Sequence, residues 1–395
     1  MALFDPKDKA AIVGVGYTAK QGTVPGVTAM SLAVEACKNA IEDAGLKKDD
    51  IDGLVLQPTM GGTHSYNLAA QMGMDLRFTA NEDAMGASAC YIAQHAALAV
   101  ASGQANYVLC VYATTGQSGE GGVTGGGRGP MGGGGPGGGG PMRLSEGAIF
   151  GLAGASMQYA LAARQGMQKF GTGPETWCDI AMNTRKWANL NPRATFYKKT
   201  MTREEYFAEP WIAEPFRRAD CCLVSDGARA FIVTTAERAK ALKQRPVYIS
   251  GMGQYHHTED VVQSKFAAGP TGALQSGAAA FKMAGISHKD ISACEIYDCF
   301  TYTVEITLQS YGFFKPGEGK DFFKNGRTGP GGAFPVNTSG GLLSEVYYMG
   351  FTPLTEGVMQ LMGRCGERQL KDPKYILVSG NGGILQTHGT VILRR

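Results

Sequence analysis

Apolar and polar residues along the chain follow an alternating pattern of strands and helices. Ala10 to Gly16 is a short apolar run typical of a buried strand, and Thr28 to Ala44 carries apolar residues at helical spacing before Gly45. The same pattern predicts further strands at Gly53 to Leu56, Phe78 to Asn81 and Tyr107 to Ala113, and a helix at Ser88 to Ala101. This order predicts an α/β fold.

The second half of the chain repeats the first. Three pairs of segments match in the same order along the chain: Ala44 to Leu56 with Ala284 to Ile296, Val13 to Gly16 with Ser250 to Gly253, and Tyr107 to Val111 with Tyr375 to Ser379. The longest pair needs no gap, and each copy reads as a helix end, a capped turn and a strand. Repeated units in one order predict two related halves, at residues 1–245 and 246–395.

The first half contains an insertion from about residue 114 to residue 220. It begins with a glycine-rich run from Gly116 to Gly140, which has too few side chains to build a packed core. Two interpretations stay open for this run: a flexible surface loop, or a loop at the active site or a subunit interface. It has no GxxxxGK[ST] spacing, so it is not a phosphate-binding loop of that type.

Composition narrows the class of protein. At 395 residues the chain has room for two packed halves, and its 37 basic against 34 acidic residues leave a net charge of +3, too small to indicate nucleic-acid binding. Met1 to Lys9 has no signal-peptide pattern, and no apolar run is long enough to span a membrane. The nine cysteines include no CxxC pair, which favours free thiols over disulfides or a zinc site. We therefore expect a cytoplasmic protein that carries no metal of its own.

Several motifs along nearly the whole chain resemble the thiolase superfamily, and within it the sterol-carrier-type thiolases and lipid-transfer-protein aldolases. Together with the repeat, the motifs that carry the resemblance are Asp220 to Ala228, Ala268-Gly269-Pro270, Tyr297-Asp298-Cys299-Phe300, Asn337 to Gly341 and Gly380 to Gly383. The resemblance implies a five-layered αβαβα fold, with two sheets related by a pseudo-twofold axis and the insertion covering the substrate.

The residues at the family's catalytic positions differ from those of its usual members. By this resemblance, Gly86 takes the place of the nucleophilic cysteine and Tyr347 that of the histidine that activates it. Tyr297 replaces a histidine or asparagine, and Gly380 replaces the second cysteine. Glycine offers no thiolate, so a covalent acyl-enzyme is not expected. Cys90, one helical turn beyond Gly86, is the alternative nucleophile, although a buried thiol in such a helix is ordinary core packing.

The replaced positions indicate phenol chemistry. A tyrosine has an ordinary pKa near ~10, so at neutral pH it donates a proton or hydrogen bond and is a base only if its pKa is lowered. Tyr297 and Tyr347 are thus the candidate catalytic residues, and a shift of one residue to Tyr348 stays open. The backbone N–H groups of Gly86 and Gly383 are the candidate donors to a thioester oxyanion.

Three functions remain open, in order of preference. The first is retro-Claisen thiolysis of a β-ketoacyl-CoA, as in the cysteine-free benzoylsuccinyl-CoA thiolases, where CoA itself attacks and His257 or His388 could assist. The second is retro-aldol cleavage of a β-hydroxyacyl-CoA, as in the steroid side-chain aldolases. The third is a non-catalytic acyl-CoA-binding subunit. The sequence does not name the acyl group.

The resemblance also implies partners and CoA contacts. No covalently bound cofactor is expected, and CoA would be a substrate. We expect a homodimer that also binds a small zinc-ribbon/OB-fold subunit, giving a heterotetramer. The candidate CoA contacts are the Gly269-Pro270 turn, where backbone approaches the pantetheine arm, and Arg217 and Arg218.

Overall fold

The computed structural model describes residues 5–58, 64–119, 154–258 and 268–395. Eleven strands lie in these ranges: β1 Ala10–Tyr17, β2 Gly53–Leu56, β3 Phe78–Asn81, β4 Tyr107–Thr115, β5 Trp211–Ala213, β6 Phe216–Arg217, β7 Asp226–Thr235, β8 Val247–His256, β9 Ile291–Ile296, β10 Tyr375–Gly382 and β11 Thr387–Arg394. β5 and β6 form a small hairpin. The other nine form one sheet in the order β3-β2-β4-β7-β1-β8-β11-β10-β9.

The α-helices in the same ranges are α1 Ala29–Ala44, α2 Ser65–Met72, α3 Ser88–Ala101, α4 Ala155–Phe170, α5 Pro174–Asn189, α6 Arg203–Ala208, α7 Ala236–Ala239, α8 Ala273–Ala284, α9 Thr301–Tyr311, α10 Gly319–Phe322 and α11 Phe351–Met362. Within this part of the chain, no helix combines the length and the apolar character that crossing a bilayer requires.

The sheet consists of two half-sheets that meet where β1 pairs with β8. This antiparallel junction is short, with Ala11 opposite Tyr248 and Ile12 opposite Val247. It joins the two predicted sheets into a single nine-stranded one, because the first strand of each half lies at the pseudo-twofold axis and pairs with its counterpart. The predicted boundary at residue 245 falls between α7 and β8.

Five layers follow from which helices contact which face of each half-sheet. The central helices α3 and α11 pack against strands of both halves, α1 packs against β1, β7 and β4, and α8 packs against β8 and β11. Both faces of the strands are buried, so alternate residues of one strand enter different cores: Val108 and Cys110 face the central layer, whereas Leu109 and Val111 face α1.

The internal repeat extends to the irregularities of the strands. The pairing of β1 with β7 shifts at Val13, and that of β8 with β11 shifts at Ser250, which the sequence alignment of the halves places at the same position. A Cβ added to Gly16 would lie 2.0 Å from the carbonyl oxygen of Ala36 in α1, and one added to Gly253 would lie 1.9 Å from that of Ser276 in α8. Both glycines therefore let a helix pack directly on a strand.

The insertion lies between β4 and β7, somewhat longer than predicted at its C-terminal end. Its helices pack onto the second half: Trp177 of α5 donates a hydrogen bond to Glu305 of α9 at 2.8 Å, and α5 also packs against the turn Gly341–Glu345. The glycine-rich run falls almost wholly outside the described residues, so its two interpretations stay open.

Candidate active site

The start of α3 lies at the centre of the candidate site. A 3₁₀ turn, Met85–Ala87, leads into the helix, and Gly86 sits in this turn. A Cβ added to Gly86 would lie 2.2 Å from Cζ of Tyr297 and 2.3 Å from the main-chain oxygen of Asn381. The ring of Tyr297 therefore occupies the space that a side chain at position 86 would need. The phenol ring thus lies where a cysteine side chain at position 86 would lie.

Two loops of the second half bring Tyr297 and Tyr347 together. Tyr297 directly follows β9, and its backbone N–H donates to the oxygen of Ser379 in β10 at 2.9 Å. Tyr347 lies in the loop before α11, and its N–H donates to Oγ of Ser225 at 3.2 Å. Their phenol oxygens are 2.9 Å apart, within hydrogen-bond distance. The two residues that the sequence singled out thus form one pair, whose catalytic role stays a prediction.

Met349 holds this pair from one side. The hydroxyl of Tyr347 lies 3.0 Å from the Met349 sulfur, and that of Tyr297 lies 3.5 Å from it. Met349 has a positive φ of 49°, a conformation uncommon for residues other than glycine. Strained residues of this kind often occur at functional sites. Here the strain turns a thioether toward two phenols.

Burial keeps both phenols protonated. Burial away from water raises the pKa of Tyr297 and of Tyr347 well above the ordinary value of 10. Neighbouring titratable groups raise both pKa values further. At neutral pH both phenols are therefore protonated and able to donate, and a lone phenolate is strongly disfavoured.

The structure separates Tyr347 from its neighbour Tyr348. Tyr348 is fully buried, and its hydroxyl donates to the main-chain oxygen of Asp226 at 2.7 Å. Its ring lies near the guanidinium of Arg229, which forms a buried ion pair with Glu345. Tyr348 thus anchors the loop in the core, and Tyr347 is the residue whose hydroxyl meets that of Tyr297.

Sequence reasoning missed several groups beside the two tyrosines. Tyr159 of α4 is buried against the ring of Phe300, and its hydroxyl donates to Oδ1 of Asn381 at 2.7 Å. The thiols of Cys222 and Cys299 are near enough to raise the pKa of Tyr297. Both cysteines lie in motifs that carry the family resemblance, which was the available signal. Nothing in the sequence places Tyr159 there.

The loop that carries the second candidate oxyanion donor is strained. Gly383, Ile384 and Leu385 have positive φ values of 58°, 57° and 69°. Left-handed backbone is costly for a β-branched residue such as isoleucine. The preceding Gly382 packs against the start of α3, because a Cβ there would lie 2.1 Å from the oxygen of Ala84. The loop therefore borders the site, and the donor role of Gly86 and Gly383 stays a prediction.

The candidate CoA contacts are engaged within the chain. Gly269 has a φ of 74°, precedes Pro270 through a cis peptide bond, and its carbonyl accepts from Nζ of Lys169 at 3.2 Å. Arg217 stacks on Trp211 and donates to the main-chain oxygen of Glu209, whose carboxylate pairs with Arg218 at 2.7 Å. Lys169 is a cation at the predicted turn that the sequence did not reveal.

Cys90 does not face the two phenols. Its side chain is 1% exposed, and its sulfur lies 3.9 Å from the main-chain oxygen of Val378 in β10. Burial raises the pKa of this thiol to about 12. A neutral thiol packed on a strand is a poor nucleophile, so the structure does not support Cys90 as the alternative nucleophile.

His388 is also unsuited to act as a base. It is fully buried, and its ring nitrogens lie 2.9 Å from Oγ of Ser276 and 3.2 Å from Oγ of Ser379. Burial lowers its pKa to about 3, so the ring stays neutral between two hydroxyls. Its role is structural.

The chain is similar to enzymes whose names are those of carbon–carbon lyases and aldolases. Residues 253–395 match the thiolase C-terminal domain-like family. The chain is 33% identical over 400 residues to the 17-hydroxy-3-oxo-4-pregnene-20-carboxyl-CoA lyase of Mycobacterium tuberculosis, covering 97% of this chain and 99% of the relative. It is 34% identical to the steroid side-chain-cleaving aldolase of Thermomonospora curvata, covering 97% of both. The solved Ltp2-ChsH2(DUF35) aldolase superposes with a TM-score of 0.89 at 31% identity, covering 99% of both chains.

Proposed function

The chain belongs to the thiolase superfamily, in its sterol-carrier-type branch, and we propose that it is an aldolase that cleaves a β-hydroxyacyl-CoA by a retro-aldol reaction. The predicted family and fold are confirmed. The sequence had favoured thiolysis over retro-aldol cleavage, and the names of the relatives reverse that order. They give no support to benzoylsuccinyl-CoA as the substrate.

The observation that carries the proposal is the pair of protonated phenols over a glycine. In a retro-aldol step the β-hydroxyl loses its proton, the bond between the α and β carbons breaks, and its electrons form the enolate of the thioester. The enolate carbon then takes up a proton, and a carbonyl compound and a shorter acyl-CoA leave. The net change is a proton moved from oxygen to carbon. Two hydrogen-bonded phenols can relay it without either staying charged.

Thiolysis needs one component more than retro-aldol cleavage. CoA has to bind as a second substrate, and its thiol has to lose a proton as the sulfur attacks the keto carbon. His388 is locked in the core, but the two phenols could relay that proton as readily as the proton of a β-hydroxyl. The preference for retro-aldol cleavage therefore rests on the relatives, which are a lyase and an aldolase by name.

We also propose a bulky, steroid-like acyl group and a multi-subunit assembly. Both rest on the relatives, whose names include a pregnene-carboxyl-CoA lyase and an aldolase with a DUF35 component. A small zinc-ribbon/OB-fold subunit would fill the place of that component. The edge strand β3 pairs with β2 alone among the described strands, and the nearby Met85 is 57% exposed, which fits a homodimer contact. Lys169 would help the Gly269-Pro270 turn hold CoA.

The test compares two substrates with and without free CoA. The chain is purified from its native source with the subunits it retains, and is incubated with a β-hydroxyacyl-CoA and with the matching β-ketoacyl-CoA. Cleavage of the hydroxy compound without added CoA supports the proposal. Cleavage only of the keto compound, and only with added CoA, establishes thiolysis instead. Cleavage of neither leaves the non-catalytic subunit.

A further inference from the structure

A third phenol reaches the site from the insertion. Tyr159 on α4 is buried, and its hydroxyl donates to Oδ1 of Asn381 at 2.7 Å, across 222 positions of the chain. Asn381 lies near the end of β10 and is 1% exposed. Its main-chain oxygen approaches Gly86, directly beside the ring of Tyr297. The contact therefore ties the insertion to the wall of the site.

This hydrogen bond fixes which end of the amide is free. A side-chain amide accepts through Oδ1 and donates through Nδ2. Because Tyr159 donates to Oδ1, Nδ2 is held on the opposite side of the group. Among the residues that the structure describes, Nδ2 donates no hydrogen bond. A donor without a protein acceptor, on a residue whose main chain borders Gly86 and the Tyr297 ring, is available to a ligand oxygen.

We infer that Nδ2 of Asn381 donates to the thioester oxygen of the substrate, and that Tyr159 is a positioning residue that keeps this donor turned into the site. The inference rests on the proposed function, because negative charge collects on that oxygen as the carbon–carbon bond breaks. A donor fixed in advance at such a point stabilises the transition state more than the bound substrate. Asn381 then acts beside the two tyrosines.

In this arrangement the hydrogen bond to Asn381 is the route by which Tyr159 affects the substrate. Without the phenol hydroxyl, the amide can turn over and point Oδ1 at the developing negative charge, which repels it. Loss of Tyr159 should therefore lower turnover without weakening substrate binding to the same degree. Once Asn381 is truncated, the loss of the Tyr159 hydroxyl should have no further effect.

The experiment measures two reactions on the assembled enzyme. One is cleavage of a β-hydroxyacyl-CoA, and the other is exchange of the α-protons of propionyl-CoA in deuterated water, which requires only the enolate. Asn381→Ala and Asn381→Asp should each slow both reactions by about 100-fold, the effect of a lost oxyanion donor. Tyr159→Phe should lower kcat about 10-fold with little change in KM, and should add nothing to Asn381→Ala.

Tyr311→Phe is the matched control. It removes a buried hydroxyl that contacts Oγ1 of Thr390 at 2.7 Å, outside the site, and should leave both rates near those of the wild type. Thermal unfolding of each variant identifies any that fail to fold, and Asn381→Asp, which keeps the shape, replaces Asn381→Ala if the latter unfolds.

Two results would overturn the inference. One is proton exchange that is unchanged in both Asn381 variants, and the other is fully additive effects of the Tyr159 and Asn381 substitutions. Failure of the proposed function looks different: the wild type would exchange protons without cleaving the β-hydroxyacyl-CoA. If the wild type shows neither reaction, both ideas are wrong.

Discussion

The two central helices, α3 and α11, are preceded by the same Met-Gly backbone turn, but only the methionine before α11 contacts the two phenol hydroxyls. Met85-Gly86 precedes α3 and Met349-Gly350 precedes α11, and both methionines have positive φ, at 51° and 49°. The glycines meet at the centre, where a Cβ added to Gly350 would lie 2.7 Å from the carbonyl oxygen of Gly86. The duplication has thus preserved an unusual backbone turn in both halves.

A hydroxyl caps each turn in the same way. The N–H of Ala84 donates to Oγ of Ser88 at 2.8 Å, and the N–H of Tyr348 donates to Oγ1 of Thr352 at 3.2 Å. Each cap bonds the residue just before the methionine to the first turn of the helix. The backbone equivalence therefore extends over both loops.

The side chains around the two turns differ. Met85 is largely exposed, and the carbonyl oxygen of Met85 accepts from Gln57 at 3.1 Å. Met349 is partly buried against two phenols, and Tyr297 stands where the sequence repeat places Gln57. One turn has backbone alone at its centre, and the other has two phenols beside it. The difference teaches that duplication fixes the frame, whereas a few substitutions assign the chemistry.

Removing the phenol hydroxyls should give the largest effect. We expect Tyr297→Phe and Tyr347→Phe each to lower kcat by 100-fold or more, because the relay loses a proton donor. The rings stay, so packing over Gly86 should survive. Steady-state cleavage of a β-hydroxyacyl-CoA measures the effect.

Tyr348→Phe is the control for that prediction. It removes a hydroxyl that bonds the core oxygen of Asp226, so we expect a loss of about 1 kcal/mol in stability and less than a 10-fold change in kcat. If Tyr348→Phe were the more damaging variant for turnover, the assignment of Tyr347 to the site would be wrong.

Adding a methyl group to each central glycine should break the two turns unequally. Gly86→Ala collides with the Tyr297 ring and with the main chain of Asn381, whereas Gly350→Ala meets the oxygen of Gly86 and the Cβ of Ala89. Both should destabilise the fold by about 1–3 kcal/mol through overpacking. Only Gly86→Ala displaces a phenol, so its kcat should fall about 10-fold below that of Gly350→Ala. Steady-state kinetics measures this difference, and urea unfolding shows how much stability each variant has lost. Equal kinetic losses would contradict this asymmetry.

The sequence predicted most of the frame and singled out the two tyrosines that the structure brings together, for physical reasons visible in particular residues. α3, β2 and β3 match their predicted bounds because hydrophobic spacing and glycine stops are local signals. Tyr297 and Tyr347 were found because family motifs fix their positions. Tyr159 and Lys169 were missed because they reach the site from an insertion with no repeat partner, and their contacts depend on long-range packing.

The link between the two tyrosine loops should respond to pH. Asp298 accepts the N–H of Leu342 at 2.8 Å and that of Leu343 at 3.4 Å, which joins the residue after Tyr297 to the turn before Tyr347. Burial raises the pKa of Asp298 from 3.8 to about 7. Since the folded state holds the proton more tightly, this group's contribution to stability is complete below pH 4 and is lost as the pH rises through 7.

Asp298→Asn removes that titration and leaves an acceptor oxygen. Relative to the wild type, the variant should gain stability as the pH rises from 4 to 7, by at most about 1.4 kcal/mol per pH unit, and the gain should then level off. Chemical unfolding at a series of pH values measures the difference. A constant difference over that range would mean that Asp298 is ionised throughout. At the other turn the carboxylate of Asp83 accepts the N–H of Met85 at 3.0 Å but is exposed, so a buried carboxylate of this kind belongs to one copy.

The smallest effect is expected at Cys90, which lies in the first turn of α3, the helix that follows the Met85-Gly86 turn. Its thiol packs on Val378 of β10, and a Cβ on Gly389 of β11 would lie 2.7 Å from the Cys90 Cβ. The thiol contacts neither Tyr297 nor Tyr347 among the described residues. Cys90→Ala should lower stability by about 1 kcal/mol and change kcat less than twofold. Iodoacetamide should label Cys90 no faster with substrate absent than with substrate bound, as mass spectrometry can measure. A thioester trapped on Cys90 would instead show that α3 carries a nucleophile, and the contrast drawn between the two turns would be wrong.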